Sequence, residues 1–432
     1  MSTPLVERLL SFLDASPTPH HAVANSSALL QGLGFTEHAL TDPPGPLPAG
    51  SLGYVRDEGS LFAFRIGTRA ATESGWRVIA AHTDSPNLRI KPLPLQRSHG
   101  YVRLGVEVYG GVQVPTWVDR DLGIAGVVHT RDGQGVRSHL IEVRRPVARI
   151  PTLAIHLNRE VNDKGLKLNK QTQLPAVFTL DEGPDPLLEL LSEHVQRDPE
   201  EVLAWDLSLF DLTPAALGGA HEEFVFSARL DNLGSCHAAL EALIATLDAE
   251  PPEATSVIAL FDHEEVGSRS HRGADGRALE LVLSTLLRDA GPQGQGGLSR
   301  ALAHSWLVSA DMAHALHPSF ADKSDPEHAP RMNAGPAIKL NANQRYTSEG
   351  STAARFALLC EQADVPHQWF LTRADMACGS TVGPLLASRL GVRGVDIGNP
   401  MLSMHSIREQ CGAHDQAHMA RAMQRFLVSP LT

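Results

Sequence analysis

The sequence predicts an α/β fold, in which a mixed central sheet flanked by helices is interrupted by a β-rich domain. Short apolar, β-branched runs alternate with helical patterns near the amino terminus and again after residue 222. In between, the sequence changes to many Gly and Pro residues and short Val-rich runs, with little helical pattern before residue 185. We therefore predict one domain built from residues 1–90 and 222–432, with a β-rich domain inserted at 91–221.

The amino-terminal region predicts two helices followed by two strands. Apolar side chains near the start lie close to one helical face, and a second helix is predicted from about Ala22 to Leu33, where Gly34 ends it. The runs SLFAFRIG (60–67) and WRVIAAH (76–82) are apolar and bounded by turn residues. Such runs are typical of buried strands.

The carboxyl-terminal half repeats this alternation. Its predicted strands are FVFSARL, SVIALF, SWLVSA and GVRGVDIG, and its predicted helices are GSCHAALEALIATLDA and STAARFALLCEQA. The Gly-rich run GPQGQGG (291–297) predicts a flexible loop.

Composition excludes several classes of protein. With 42% hydrophobic and 20% charged residues, the chain is neither mainly disordered nor fibrous. Its formal net charge of −12, without a block of Lys and Arg, argues against nucleic-acid binding. The four Cys residues are far apart, which suits a reducing compartment, and no apolar run approaches the roughly 18 residues that span a bilayer. We expect a soluble, cytoplasmic protein that binds neither nucleic acid nor membrane.

Residues that commonly bind metals end or follow the predicted strands: His82, Asp84, Asp231, Glu264, Glu265, Asp311 and His405. Because ligands gather at the carboxyl ends of strands in open α/β sheets, distant parts of the sequence can converge on one site. Taken singly, each residue has an ordinary explanation as a turn residue, a solvated charge, a helix start or a loop histidine. Their joint pattern is much more specific than any member.

The chemistry of these side chains separates into roles. His82 can bind a metal while Asp84 orients its ring. One carboxylate of the pair Glu264–Glu265 can bind metal while the other accepts a proton. Asp231 can bridge two ions, because a carboxylate has two oxygens. Nitrogen and oxygen ligands without sulfur favour zinc, cobalt or manganese, and five ligands with one bridging carboxylate suit two ions about 3.5–4 Å apart.

Seven segments resemble, in the same order, the successive motifs of the aspartyl aminopeptidases, a family of di-zinc metallopeptidases: AAHTDSPNLRIKP, RLDNLGSC, DHEEVGS, SADMAHALHP, GPAIKLNANQRY, CGSTVGPLLASRLG and SMHSIRE. The resemblance covers nearly the whole chain. It implies a catalytic domain of the zinc-peptidase type at 1–90 and 222–432 and a dimerisation or lid domain at 91–221. It also implies a homo-oligomer, a dodecamer built from dimers.

The resemblance assigns a role to individual positions. His82 and Asp311 are implied as ligands of one metal and Glu265 and His405 of the other, with Asp231 shared. The implied catalytic residues are Glu264 as general base, Asp84 and His156, the last presented by the inserted domain to an active site, often that of a neighbouring subunit. The implied substrate-binding residues are His156, Glu264, Asp311, His314, Lys339 and Tyr346.

The implied enzyme is a hydrolase that removes N-terminal residues, preferentially Asp or Glu, from peptides with a free N-terminus. Its implied cofactors are two zinc ions per subunit, with cobalt or manganese as possible substitutes, and a water that bridges them. On composition alone, Lys339 is expected to be a solvated surface residue. The resemblance implies instead that it receives the acidic side chain, which a pocket crowded with carboxylates would otherwise repel.

Other functions fit similar ligands. A di-zinc deacylase or carboxypeptidase, or an aminopeptidase of broader specificity, would use the same metal chemistry. Peptides with free and acetylated N-termini separate the first two from an aminopeptidase. A non-catalytic metal-binding scaffold is disfavoured, because it has no use for Glu264 as a spare base beside Glu265.

Overall fold

The computed structural model describes residues 4–42, 47–180, 183–287 and 294–430. The chain divides into two compact units. The first comprises Met1–Asp84, Ala215–Met404 and Glu409–Thr432, and the second comprises Ser85–Pro214 and His405–Arg408. The functional roles predicted for the two domains stay predictions.

The strands, in chain order, are β1 (Thr36–His38), β2 (Leu52–Asp57), β3 (Ser60–Arg65), β4 (Trp76–His82), β5 (Asn87–Ser98), β6 (Tyr101–Tyr109), β7 (Leu122–Asp132), β8 (Gly135–Ala148), β9 (Ala176–Thr179), β10 (Val202–Asp211), β11 (Ala216–Gly218), β12 (Phe224–Ser227), β13 (Thr255–Phe261), β14 (Trp306–Ala310), β15 (Ala313–His314), β16 (Ala337–Leu340), β17 (Gln368–Leu371), β18 (Arg393–Gly398), β19 (Pro400–Leu402) and β20 (Glu409–Gly412).

The α-helices are α1 (Pro4–Ala15), α2 (Pro19–Gly32), α3 (Ala71–Ser74), α4 (Val161–Lys164), α5 (Pro186–Val195), α6 (Leu230–Ala245), α7 (Ala278–Thr285), α8 (Gly294–Ala303), α9 (Gly350–Gln362), α10 (Val382–Leu390) and α11 (Asp415–Val428). Among the helices of the described residues, none combines the length and the apolar character that a membrane span requires.

A mixed sheet forms the centre of the first unit. Its strands, nine among the described residues, follow the order β1-β2-β3-β13-β4-β14-β18-β16-β17. The central strands β13, β4, β14 and β18 pair in parallel, so that their carboxyl ends meet at one edge of the sheet. A smaller sheet, β11-β12-β20-β19-β15, belongs to the same unit. The predicted α/β fold with a mixed central sheet is confirmed.

Both faces of the central sheet are buried under helices. On β4, Ile79 and Ala81 pack in a core with residues of α6, α9 and α11, whereas Val78 and Ala80 pack on the other face with residues of α7 and α10. This double burial explains why the central strands read as continuous apolar runs without alternation. On β4, the polar residues Arg77 and His82 lie near the two ends of the strand.

The second unit is built on a six-stranded sheet, β8-β7-β10-β5-β6-β9, whose neighbouring strands all pair antiparallel. Helix α5 contributes Leu187 and Leu191 to the core of this sheet. Asp185 caps α5, since its carboxylate accepts a hydrogen bond from the backbone N–H of Leu188 at 2.9 Å. The unit is β-rich, as the Val-rich runs predict.

Two local predictions are wrong. Helix α2 begins at Pro19 and not near Ala22, because a proline is well tolerated in the first turn of a helix. The predicted loop at 291–297 is helical from residue 294, where α8 begins, while residues 291–293 lie outside the described residues.

Candidate metal centre

The candidate site begins with His82, the last residue of β4. Its side chain is buried, with 1% of the residue exposed. Its Nδ1 lies 3.0 Å from the carbonyl oxygen of Asp84. A carbonyl can only accept, so Nδ1 carries the proton and Nε2 is the nitrogen left to bind a cation.

Nε2 of His82 faces two carboxylates from other elements of the first unit. It lies 3.4 Å from Oδ1 of Asp231, in the first turn of α6, and 3.8 Å from Oδ1 of Asp311, which follows β14 directly. One ligand atom each from His82, Asp231 and Glu265 lie within 4.8 Å of one another. Strand and helix ends distant in sequence therefore meet at the carboxyl-end edge of the sheet.

This donor set fits zinc. Two ligands of a tetrahedral zinc ion, each at about 2.1 Å, are about 3.4 Å apart, and this is the separation of His82 Nε2 and Asp231 Oδ1. The donors are one imidazole nitrogen and carboxylate oxygens, which are ligands that zinc accepts at catalytic sites. His82 and Asp231 are both buried.

Asp84 supports both sides of the site. It is completely buried, and its Oδ1 lies 3.4 Å from Nδ1 of His82. Its two carboxylate oxygens accept hydrogen bonds from the backbone N–H groups of Glu264 and Glu265, each at 3.0 Å. One side chain thus fixes the ring of His82 and the turn that carries the two glutamates.

The carboxylates also shift the protonation of their neighbours. Burial alone would lower the pKa of His82, but the carboxylates of Asp231, Asp311 and Asp84 raise it well above its usual value. Burial raises the pKa of Glu264 to about 8; the charge of His82 opposes this, whereas the charges of the nearby carboxylates reinforce it. The cluster therefore carries an excess of negative charge that a cation would neutralise.

Sequence reasoning did not single out several buried supports of this site. The backbone N–H of Asp231 donates to Oε2 of Glu409 at 3.1 Å, and the thiol of Cys236 donates to the carbonyl of His82 at 2.9 Å. The peptide bond between Asp231 and Asn232 is cis. The segment LDNLGSC contains three of these residues, but of the three only Asp231 is indicated by the sequence pattern and the family resemblance.

Lys339 is 2% exposed, so the surface position expected from composition is wrong. Its Nζ donates to the carbonyl oxygen of Met312 at 2.7 Å and lies 5.4 Å from the ring centre of Tyr346. Tyr346 is buried and packs against Phe370. His314 is exposed, and its ring lies edge-on to Phe370 at 6.1 Å between centroids. These predicted substrate-binding residues share one neighbourhood of the first unit.

Two predicted site residues belong to the second unit. His405 has a positive φ of 67°, and its carbonyl oxygen accepts a hydrogen bond from the N–H of Gln113 at 3.0 Å. His156 is exposed in a short 3₁₀ turn, Ile155–Leu157. Their roles as metal ligand and catalytic residue stay predictions.

Comparison with known proteins gives consistent results. The family described as Aminopeptidase I zinc metalloprotease (M18) matches residues 12–427. The probable M18 family aminopeptidase 2 of Ectopseudomonas mendocina is 47% identical over 438 residues, which cover 100% of this chain and 99% of that protein.

Solved structures agree with this result. The structure of the Ape4 and Nbr1 complex contains a chain that is 39% identical, with a TM-score of 0.93, coverage of 98% of this chain and 85% of the other. The S. cerevisiae mApe1 dodecamer is 27% identical, with a TM-score of 0.83 and coverage of 98% and 96%. The hydrolase and the family predicted from the motifs are confirmed: the chain belongs to the M18 family of zinc metallo-aminopeptidases.

Proposed function

We propose that this aminopeptidase prefers acidic N-terminal residues and acts with two zinc ions that hold a water between them. One observation carries the acidic preference: Lys339 places a buried positive charge next to the site, bound to the carbonyl of Met312. Met312 directly follows Asp311, whose carboxylate faces His82. A lysine ammonium has three donors, and among the described residues the bond to Met312 uses one, so the others can bind an incoming carboxylate.

The two ions would divide the ligands. We assign His82 and Asp311 to one ion, Glu265 and His405 to the other, and Asp231 to both. The closeness of His82, Asp231 and Glu265 supports the part of this set that lies in the first unit. When bound, zinc lowers the pKa of water toward about 7 and polarises the scissile carbonyl.

The chain's own residues supply the rest of the chemistry. Glu264 removes a proton from the attacking water and later delivers it to the leaving amine. The bond from its N–H to Asp84 holds the turn that bears it. The carboxylates left near the metals hold the α-ammonium of the substrate, which limits cleavage to the first residue. His156 stabilises the oxyanion of the tetrahedral intermediate.

We also propose a homo-dodecamer built from dimers; the similar mApe1 chain of S. cerevisiae forms a dodecamer. The segment around His156 supports an assembly in which a second copy covers it. Leu153, Ile155 and Leu157 are 59%, 47% and 74% exposed in the single chain. Adjacent exposed apolar side chains are typical of protein interfaces.

A metal-reconstituted assay across all N-terminal residues tests the specificity. We expect the highest kcat/KM for Asp and Glu, two zinc equivalents per chain by elemental analysis, and no turnover of N-acetylated peptides. Faster release of Ala or Leu than of Asp would refute the acidic preference and leave the family assignment intact.

The role of His156 is tested by mixing two inactive variants. If His156 serves a neighbouring subunit, His156→Ala and Glu264→Gln proteins should recover activity when dissociated and reassembled together, because a hybrid dimer contains one intact composite site. Each variant reassembled alone is the control. If confirmed hybrids recover no activity, His156 either acts in its own subunit or has no catalytic role.

A further inference from the structure

A cavity of about 280 Å³ lies at the opposite edge of the central sheet, where the parallel strands begin. Four arginines line it: Arg69, Arg77, Arg355 and Arg393. The carboxylates that line it belong to Glu73 and Glu253. The arginines thus outnumber the carboxylates by four to two, in a chain whose formal net charge is −12.

Strand register holds part of this cluster in place. Arg77 on β4 and Arg393 on β18 are both paired with Trp306 on β14, so the three residues lie side by side across adjacent strands. The guanidinium of Arg355, on α9, lies 4.8 Å from the ring centre of Trp306. The two strand arginines and the tryptophan are therefore positioned by the sheet itself and not by a loop.

Arg77 is the unusual member of the cluster. The residue is 3% exposed, and its Nε has no hydrogen-bond partner in the described part of the chain. Its Nη1 donates to the carbonyls of Ser74 and His304 at 3.0 and 3.5 Å. Burial lowers its pKa to about 10, and the charge of Glu253 opposes this shift only in part. A buried cation of this kind is costly without a compensating anion.

The remaining arginines differ in their pairing. Arg69 forms exposed ion pairs with Glu73 at 3.3 Å and Glu253 at 3.5 Å, which use up most of the negative charge at the cavity. Arg393 is exposed and forms no ion pair among the described residues. Among the described residues, the positive charge of Arg77 and Arg393 is thus left over for a ligand.

We propose that this cavity binds a small molecule bearing an oxyanion, a phosphoryl or carboxylate group, between Arg77 and Arg393. Planar guanidinium groups bind both kinds of oxyanion through paired N–H donors. The volume lies just below the range of pockets for drug-sized ligands, so the ligand is a small acid and not a nucleotide. No residue of the metal centre takes part.

Calorimetric titration of the zinc-loaded enzyme tests the site, with inorganic phosphate in one arm and succinate in the other. Both anions can also bind at the metals, so the proposal predicts two binding events in the wild type, of which Arg393→Gln weakens one. We expect the event at the cavity to weaken by tenfold or more. The matched control is Arg56→Gln, which removes an exposed arginine paired with Glu37 outside the cavity, and it should keep both events.

The two anions distinguish the chemical class of the ligand. Loss of the second event for phosphate alone identifies phosphoryl ligands, and loss for succinate alone identifies carboxylates. Isotherms that are identical in the wild type and Arg393→Gln for both anions would overturn the proposal. Arg77→Gln should behave like Arg393→Gln, and the exposed position of Arg393 keeps the test valid if the buried variant fails to fold.

Discussion

The two edges of the central sheet carry opposite charges. At the carboxyl-end edge, His82 is surrounded by the carboxylates of Asp84, Asp231 and Asp311. At the amino-end edge, Arg77 and Arg393 flank Trp306. Strand β4 joins the two, since Arg77 is its second residue and His82 its last. Five residue steps of about 3.3 Å separate them by about 17 Å.

The difference shows where a buried strand can carry polar residues. Every residue of β4 is buried, and its middle consists of Val78, Ile79, Ala80 and Ala81. The apolar middle of β4 offers no partner for a charge, so Arg77 and His82 lie towards the two ends of this strand. The acidic edge is suited to a metal cation and the basic edge to an anion, although both are built on the same strands.

The largest expected effect is at the acidic edge. Glu264→Gln removes the proposed base and keeps the size of the side chain, so turnover should fall by about 10²–10⁴-fold. Zinc content should be unchanged, because Glu265 and not Glu264 belongs to the ligand group. Rate and zinc are measured on the same preparation.

The control for this variant is Glu361→Gln, the same change on an exposed position of α9. It should retain wild-type turnover. Loss of a zinc equivalent in Glu264→Gln would mean that the roles of Glu264 and Glu265 are exchanged.

The next effect concerns the cation on the acidic side. Lys339→Met removes a charge that should bind an acidic substrate side chain, and a hydrogen bond to a charged group contributes about 1.5–3 kcal/mol. We expect kcat/KM for N-terminal Asp and Glu to fall by about 10- to 150-fold. Substrates with N-terminal Ala or Leu are the internal control and should change little. An equal loss on both classes would assign Lys339 to support of the Met312 backbone instead.

A smaller effect is expected from Asp84→Asn. The amide offers one acceptor oxygen in place of two, so it can keep only one of the bonds to the Glu264 and Glu265 N–H groups. Changes of this kind behind metal ligands reduce metal affinity or activity by about 10–100-fold. Zinc affinity measured by competition with a chelator checks this, with Asp364→Asn on the surface as the control. Unchanged affinity and rate would remove Asp84 from the site.

The smallest effect is expected at the basic edge. Arg393→Gln should leave aminopeptidase turnover unchanged, and its free energy of unfolding should change by less than about 0.5 kcal/mol, as for most surface substitutions. Thermal unfolding and a standard assay measure both. A large loss of turnover would show that the two edges are not separate in function.

The sequence predicts the acidic edge better than its surroundings. His82 and Asp311 could be found because continuous apolar runs end directly before them, and the carboxyl ends of parallel strands meet. The burial of Lys339 could not be found, because its partner is the carbonyl of Met312, 27 positions away in the sequence. A local sequence pattern cannot predict a contact between residues so far apart in the chain.

Asp231 illustrates a second limit. The sequence places it after a predicted strand, but β12 ends at Ser227 and Asp231 lies in the first turn of α6 with non-helical φ and ψ. Its position depends on contacts such as that with Glu409, which is 178 residues away. The resemblance to a family identifies Asp231 as a matched position, but it does not give the contacts that hold the residue in place.

The complete burial of β4 limits which changes of length the chain tolerates. Successive side chains of a strand point to opposite faces, so losing one residue from 78–81 would turn every later side chain over. His82 would then point away from Asp231, while Arg77 kept its direction. Substitutions among small apolar residues preserve the directions of both side chains, whereas a single insertion or deletion between them changes the direction of one relative to the other. A change in this segment that keeps both sites must therefore exchange residues at constant length.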